Sequence, residues 1–254
     1  MTFKKLIETL KNELNQLEGH VALKVKFLNT GDIFEHNPDL QLWAASVIKV
    51  PIACEFFRQV SESKFDPQTR IMVSEDNFVD AAGVIKHLSR DIQYPAIDLV
   101  KLMLIVSDNS ATNQIIDLVG WESIEKYTQE LGLRDTTFRH KMMIKAGRGP
   151  NLTTANDMTS LLEMLYNHKL SGSQEILDYM NEQLDRTRIA LYLPNDIKVP
   201  RKYGSLPEAM HEVGVVYSKS PFIFSFLSDD QKDKRMTNEI LSKCAKYCFD
   251  YSNI

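Results

Sequence analysis

Leu42 to Phe57 reads LWAASVIKVPIACEFF, a small and apolar run that carries one hydroxyl, Ser46, and one amine, Lys49, in its first half. A lysine buried there without a partner costs several kcal/mol, so its presence needs a reason. Three positions separate it from the serine. On a helix the two therefore share a face, with Cβ atoms about 5 to 6 Å apart, and the amine is placed to take a proton from the hydroxyl. If Ser46 opens the helix, its oxygen also lies where free backbone N–H groups favour an anion. Pro51 has no N–H and fits poorly beyond a first turn, so a local distortion is expected. Ser61-Glu62-Ser63-Lys64 and Ser123-Ile124-Glu125-Lys126 have the same spacing, but in charge-rich, solvated segments.

The surrounding chain has 254 residues, enough to bury a full core without staples. Thirty Lys and Arg stand against 34 Asp and Glu, a net charge of -4, and no basic block appears, which argues against a nucleic-acid partner. Charges recur every few positions through MTFKKLIETLKNELNQLEGH, so neither a signal core nor a membrane span can be drawn there. The sequence as it stands reads as a soluble cytoplasmic protein without a membrane partner, or as an extracellular or cell-surface one if it is a processed form. Of three cysteines, Cys244 and Cys248 lie four apart in a helical pattern and suit buried small hydrophobes. No nearby partners suggest a metal site, and no cofactor is expected.

Leu6, Leu10, Leu14 and Leu17 predict an amphipathic helix over 3–18, and Gly19 supplies a stop. Val21, Leu23, Val25 and Phe27 alternate, NTGD turns the chain, and IFEHN continues a hairpin. Helices follow over 98–106, 110–119, 123–131 and 155–169. Strand patterns return at 197–205, 210–217 and 221–228, before a closing helix at 231–249. The expected fold is α+β: an antiparallel sheet of about five strands flanked by terminal helices, as one domain with an α+β lobe over 1–45 and 196–254. A helical lobe over 46–195 is inserted between the second and third strands.

Two further motifs join the first. In IVSDNSATN, Ser107, Asp108 and Asn109 follow an apolar run and precede a helix, where the simplest reading is a polar capping loop. In RKYGSL, Lys202 stands beside Tyr203, Gly204 and Ser205 at the start of a strand, with a glycine that lets a ligand approach the backbone. Lys145-Ala146-Gly147 has similar letters but no strand follows it. Ser-x-x-Lys, Ser-Asp-Asn and Lys-x-Gly in this order, each at the matching structural transition, are together specific. The chain resembles the class A β-lactamases and the penicillin-binding transpeptidases and carboxypeptidases over nearly its whole length. VSEDNFVDAAGVIKHL and LTTANDMTSLLEML also look like that family's helical lobe.

The resemblance implies a serine hydrolase in which Ser46 is acylated, Lys49 activates it and Ser107 shuttles a proton to the leaving nitrogen. Asn109 would bind the substrate amide and Lys49, and Lys202 would supply charge for a substrate carboxylate. The N–H groups of Ser46 and Ser205 would form the oxyanion hole, with Gly204 between the cation and that donor. The partner implied is a small β-lactam or acyl amide or ester. Two departures stand out. Class A enzymes carry a deacylating glutamate in a long loop after the Ser-Asp-Asn helix, whereas residues 136–156 contain no Asp or Glu. That segment is basic, with Arg139, Lys141, Lys145 and Arg148, and His140 is its one neutral-pH base. Tyr203 stands where the family favours Thr or Ser. Deacylation is therefore expected to be slow. The competing readings are a receptor that merely traps a penicillin or peptide, against which counts the lack of a recognisable output domain, and an esterase or DD-peptidase of the same fold.

Overall fold

The computed structural model describes residues 1–144, 147 and 149–254. Helix α1 (Phe3–Leu14) is capped by Thr2, whose side chain accepts from the Lys5 N–H, and it buries Leu6, Leu10 and Leu14. It ends short of the expected residue 18 because Gln16 and Leu17 turn back onto Glu13 and Leu14 with i to i−3 bonds. Gly19 then lies at φ +71°, so close to the chain at Asp230 that a Cβ would stand 2.2 Å from its carbonyl oxygen.

The hairpin β1 (His20–Phe27) and β2 (Ile33–His36) follows, then the short β3 (Leu42–Trp43), α2 (Lys49–Ser61), and a small ribbon of β4 (Arg70–Met72) with β5 (Gln93–Pro95). Three helices come next, α3 (Ala96–Ile105), α4 (Asn109–Val119) and α5 (Trp121–Glu130). Strand β6 (Leu152–Thr153) pairs with β3, and α6 (Ala155–Tyr166) and α7 (Ser173–Asn181) complete the helical part. The chain closes with β7 (Arg201–Ser205), β8 (Met210–Val216), β9 (Phe222–Asp229) and α8 (Lys234–Ser252). Helix α7 and the two short ribbons had no counterpart in the sequence reading.

The main sheet is antiparallel, in the order β2-β1-β9-β8-β7, so a strand from the end of the chain is paired with one from its start. It is covered on both sides, which explains why β9 is buried almost throughout instead of alternating with exposed polar residues. Phe222, Phe224 and Phe226 join Leu6, Leu10, Ile240 and Cys244 under α1 and α8. Ile223 and Leu227 join Val213, Val215 and the helical part on the other face. Ser225 points the same way and accepts a hydrogen bond from Thr159 of α6 at 2.9 Å. All three cysteines are free and buried. Among the described residues no helix is long and apolar enough to cross a membrane.

Leu10 is fully buried between α1 and the sheet. Leu10→Ala is expected to destabilise the protein by about 3 kcal/mol and lower Tm by roughly 6 to 12 °C in a thermal melt.

Candidate active site

Ser46 lies in a single 3₁₀ turn, Ala45–Ile48, that runs directly into α2. The change of helix type falls just before Pro51, which cannot donate to the carbonyl four residues back, so the expected distortion takes this form. In 3₁₀ geometry residues three apart eclipse one another, which aligns Ser46 with Lys49, whose backbone N–H donates to the Ser46 carbonyl. The turn is pinned from behind. His211 Nε2 meets the Trp43 carbonyl at 2.7 Å, while its Nδ1 accepts the Ser228 N–H at 3.1 Å. Burial pulls this imidazole down to about 4, so it stays neutral, with its proton on Nε2. The Ala44 N–H donates to the Asn151 carbonyl at 2.8 Å. Ala45 is left in the left-handed region at φ +44°, a strained conformation for a residue with a Cβ.

Lys49 is fully buried. Its Nζ donates to the Ser107 carbonyl (2.7 Å), the Ser107 Oγ (2.9 Å) and the Asn109 Oδ1 (2.6 Å). Burial lowers the amine from 10.5 to about 7, opposed by the Asp108 carboxylate. Near neutrality it therefore exchanges between an ammonium with all three protons bonded and a free amine with a lone pair.

The Ser-Asp-Asn triplet is built by Asp108, which is both the capping residue of the simple reading and the organiser of the site. Its Oδ1 accepts the Ala111 N–H at the start of α4, and its Oδ2 accepts the N–H groups of Val84 and Ile85 at 2.6 and 2.8 Å. That approach needs Gly83, at φ +120°, since a Cβ there would stand 2.3 Å from the Asp108 side chain. Ser107, at φ +56°, is thereby turned toward Lys49.

Strand β7 brings the third motif. A Cβ on Gly204 would meet His211 Cδ2 at 3.0 Å, Ala45 Cβ at 3.1 Å and the Ser46 nitrogen at 3.2 Å, so the glycine lets this strand lie against the serine turn. Lys202 is completely buried and donates to the Tyr203 carbonyl at 3.0 Å. Burial, and then the charge of Lys49, holds its amine well below the ordinary lysine range. Lys234, the first residue of α8, reaches the cleft instead and donates to the Ser205 Oγ (3.1 Å) and the Leu206 carbonyl (2.8 Å). The sequence reading missed it. Its only signal is Asp233, whose carboxylate caps α8 and so fixes where the helix begins.

These groups open on a cleft of about 750 Å³ that includes Ser46, Asn109, Tyr203, Ser205 and Lys234, with apolar walls at Trp43, Met142 and Leu206. The loop without carboxylates forms one side. Asn113 clamps both backbone groups of Met142, accepting its N–H at 2.7 Å and donating to its carbonyl at 3.1 Å. Asn151 accepts from the N–H groups of Arg139 and His140 and donates to the His140 carbonyl. His140 also lines the cleft, with its Nδ1 2.6 Å from the Lys141 carbonyl. Lys145, Ala146 and Arg148 lie outside the described residues, and with them all of the Lys145-Ala146-Gly147 triplet but its glycine. Of the other Ser-x-x-Lys segments, Lys64 pairs with Glu62 and Lys126 with Glu130 on the surface, far from this chemistry. Among the described residues no three His, Cys, Asp or Glu side chains are grouped to hold a metal.

The five-stranded sheet, the helices packed on it and the cleft between them define the fold of the β-lactamases and penicillin-binding proteins. Residues 5–252 match the beta-lactamase enzyme family, and the chain belongs to it. Among curated relatives, the beta-lactamase regulatory protein BlaB of Streptomyces cacaoi is 24% identical, covering 87% of this chain and 87% of its own. Beta-lactamase BRO-1 of Moraxella catarrhalis is 20% identical over 97% of this chain and 84% of its own. Among solved structures, a β-lactamase from Sphaerobacter thermophilus superposes with a TM-score of 0.92 at 23% identity, covering 99% of this chain and 98% of that one. PBP-A gives 0.90 at 23% identity, covering 98% and 96%.

The buried amine carries a stability consequence. Its folded pKa, about 7, lies below the unfolded 10.5, so the unfolded chain binds more protons between these values. Stability therefore rises with pH across that window, and below about pH 7 the full penalty applies, on the order of 5 kcal/mol. Lys49→Met loses the three hydrogen bonds but removes this penalty. It is expected to stabilise the protein by about 1 to 3 kcal/mol at pH 6, with the gain vanishing by pH 10, in melts across that range.

Proposed function

We propose that this protein is a serine hydrolase of the β-lactamase type that forms an acyl-enzyme on Ser46 from β-lactams or related amides and esters and hydrolyses it slowly. The observation that carries this reading is the Lys49 amine, poised near neutrality one helical turn from Ser46 and bonded to Ser107 and Asn109. As a free amine it takes the Ser46 proton and passes it to Ser107 as the C–N bond breaks. The N–H groups of Ser46 and Ser205 hold the carbonyl oxygen, and the close approach at Gly204 supports their pairing. Asn109 binds the substrate amide. Lys234 and Ser205 make the contact with a substrate carboxylate, while Lys202 stays buried with its amine on the Tyr203 carbonyl. Membership in the family and the structural likeness to PBP-A, a variant of which is known as an acyl-enzyme complex with penicillin G, support the same chemistry.

Ser46→Ala is expected to abolish the mass adduct formed with penicillin G while leaving the fold intact, since Ser46 is only partly buried and caps neither the 3₁₀ turn nor α2. In the wild type, labelling should accelerate as pH rises through about 7, because the base is the neutral amine, and Lys49→Arg should label orders of magnitude more slowly. A flat rate from pH 5 to 9 removes Lys49 from this role.

A second reading, a receptor for which the acylated state is the signal, is favoured by the absence of any carboxylate in residues 136–156 and by the likeness to a regulatory protein. The two readings part at deacylation. Penicillin adducts should persist for minutes after free drug is removed, since a positioned general base is worth ~10² to 10⁴ in rate. Met142 is the position from which a base would act, since it lines the cleft and its backbone is clamped by Asn113. Met142→Glu is expected to shorten the adduct lifetime by ~10² or more. Release followed over hours decides whether the native protein turns over at all.

A further inference from the structure

The loop without carboxylates gives the cleft an apolar wall. Met142, Met143 and Ile144 line it, and so does Trp43, which β3 pairs with Leu152 at the end of that loop. Ala81 and Ala82 also line the cleft, beside Asn109, and carry nothing larger than a methyl group. Trp43 is 51% exposed and Met143 62%, although both are residue types that folding ordinarily buries. Large apolar side chains left open around a cleft mark a surface for an apolar ligand. We propose that the acyl half of the substrate is a long apolar chain, so that the substrate class is carboxylate-bearing amides and esters of medium-chain fatty acids. This deepens the function proposed above and rests on Ser46 being the nucleophile.

The polar side chains near this wall are engaged within the protein. The Asn151 Oδ1 accepts the N–H groups of Arg139 and His140 at 2.7 and 3.1 Å, and its Nδ2 donates to the His140 carbonyl at 3.0 Å. His140 Nδ1 lies 2.6 Å from the Lys141 carbonyl, and Asn109 Oδ1 is held by Lys49. A polar acyl group seated here exchanges water for a surface with few partners, which is unfavourable. A hydrocarbon chain has no such bonds to lose, and each buried methylene strengthens binding about threefold to fourfold. The wall stands next to the nucleophile, since the Ala44 N–H donates to the Asn151 carbonyl at 2.8 Å. Elsewhere the cleft is polar, with Lys234 Nζ donating to the Ser205 Oγ at 3.1 Å. The site is thus amphipathic, with a cation and a hydroxyl for the leaving group's carboxylate and an apolar wall for the chain. Its volume of about 750 Å³ leaves room for both.

The step balances. The Ser46 Oγ forms a bond to the acyl carbon, the C–N or C–O bond breaks, and its electron pair goes to the leaving nitrogen or oxygen. The proton that Lys49 removes from Ser46 passes to the leaving group, which departs with its carboxylate, while the fatty acyl chain stays on Ser46. Water then releases the free acid and restores the serine.

The test uses 3-(alkanoyloxy)benzoates with acetyl, butanoyl, hexanoyl and octanoyl groups, which share one carboxylate-bearing leaving group and differ only in the chain. Acylation is read from the burst of 3-hydroxybenzoate and from intact mass, at concentrations where the octanoyl ester is monomeric, with Ser46→Ala as the background. The expected result is a rise in acylation efficiency of about 100-fold or more from acetyl to octanoyl. Met143→Asn places a polar side chain on the wall, and asparagine accepts the left-handed conformation of this residue, φ +60°. It is expected to lower the octanoyl-to-acetyl ratio about 5-fold or more, with an unchanged melting midpoint. A flat or falling series, or a ratio that Met143→Asn leaves unaltered, overturns the proposed chain site, while a penicillin G adduct on Ser46 keeps the nucleophile. Absence of both the bursts and the penicillin adduct overturns the hydrolase reading and this inference with it.

Discussion

Lys49 Nζ donates to the Ser107 carbonyl, the Ser107 hydroxyl and the Asn109 side chain, and the surrounding fold serves to bring these three oxygens to one buried amine. Two come from a residue in left-handed backbone conformation and the third from the first residue of α4. Asp108 makes the arrangement possible by capping α4 with one oxygen and gathering the Val84–Ile85 backbone with the other. The price is a desolvated cation, which a chain under selection for stability alone would replace by methionine or leucine.

A second constraint is the approach of β7 to the serine turn. Gly204 removes a Cβ that would crowd Ala45, the Ser46 nitrogen and His211, while His211 ties the turn to β9 by using both ring nitrogens. The strain at Ala45 is sustained because β3–β6 pairing, the Ala44 to Asn151 bond and the His211 bond all act on the same few residues. The sheet that carries β7 is buried on both faces, so this geometry rests on a rigid element rather than on a mobile loop.

Much of this was legible in the sequence, for identifiable reasons. The sheet strands announced themselves by alternation in Val21–Phe27 and Phe222–Phe226, and the helices by apolar spacing. Ser46 and Lys49 were visible because an amine in an apolar run violates the expected pattern, and the order of three motifs located the rest. What stayed hidden depends on three-dimensional proximity. Nothing near Lys234 in the chain indicates a cleft cation, since α8 delivers it from a distant segment. The burial of Lys202, the backbone clamp on Met142 and the anchoring by His211 involve partners far apart in sequence. Helix α7 lacked a strong start signal, because Gly172 precedes it in left-handed conformation without any side-chain cap.

The pairing of His20 with Asp229 has a consequence for the order in which the protein comes into being. Ser46 leaves the ribosome's active centre long before Ser205, by roughly 10 to 30 s at ~5 to 20 residues per second. During that interval β1 has no β9 beside it and the serine turn has no Gly204 strand against it. The cleft around Ser46 is thus assembled only once residues 201–229 have been made.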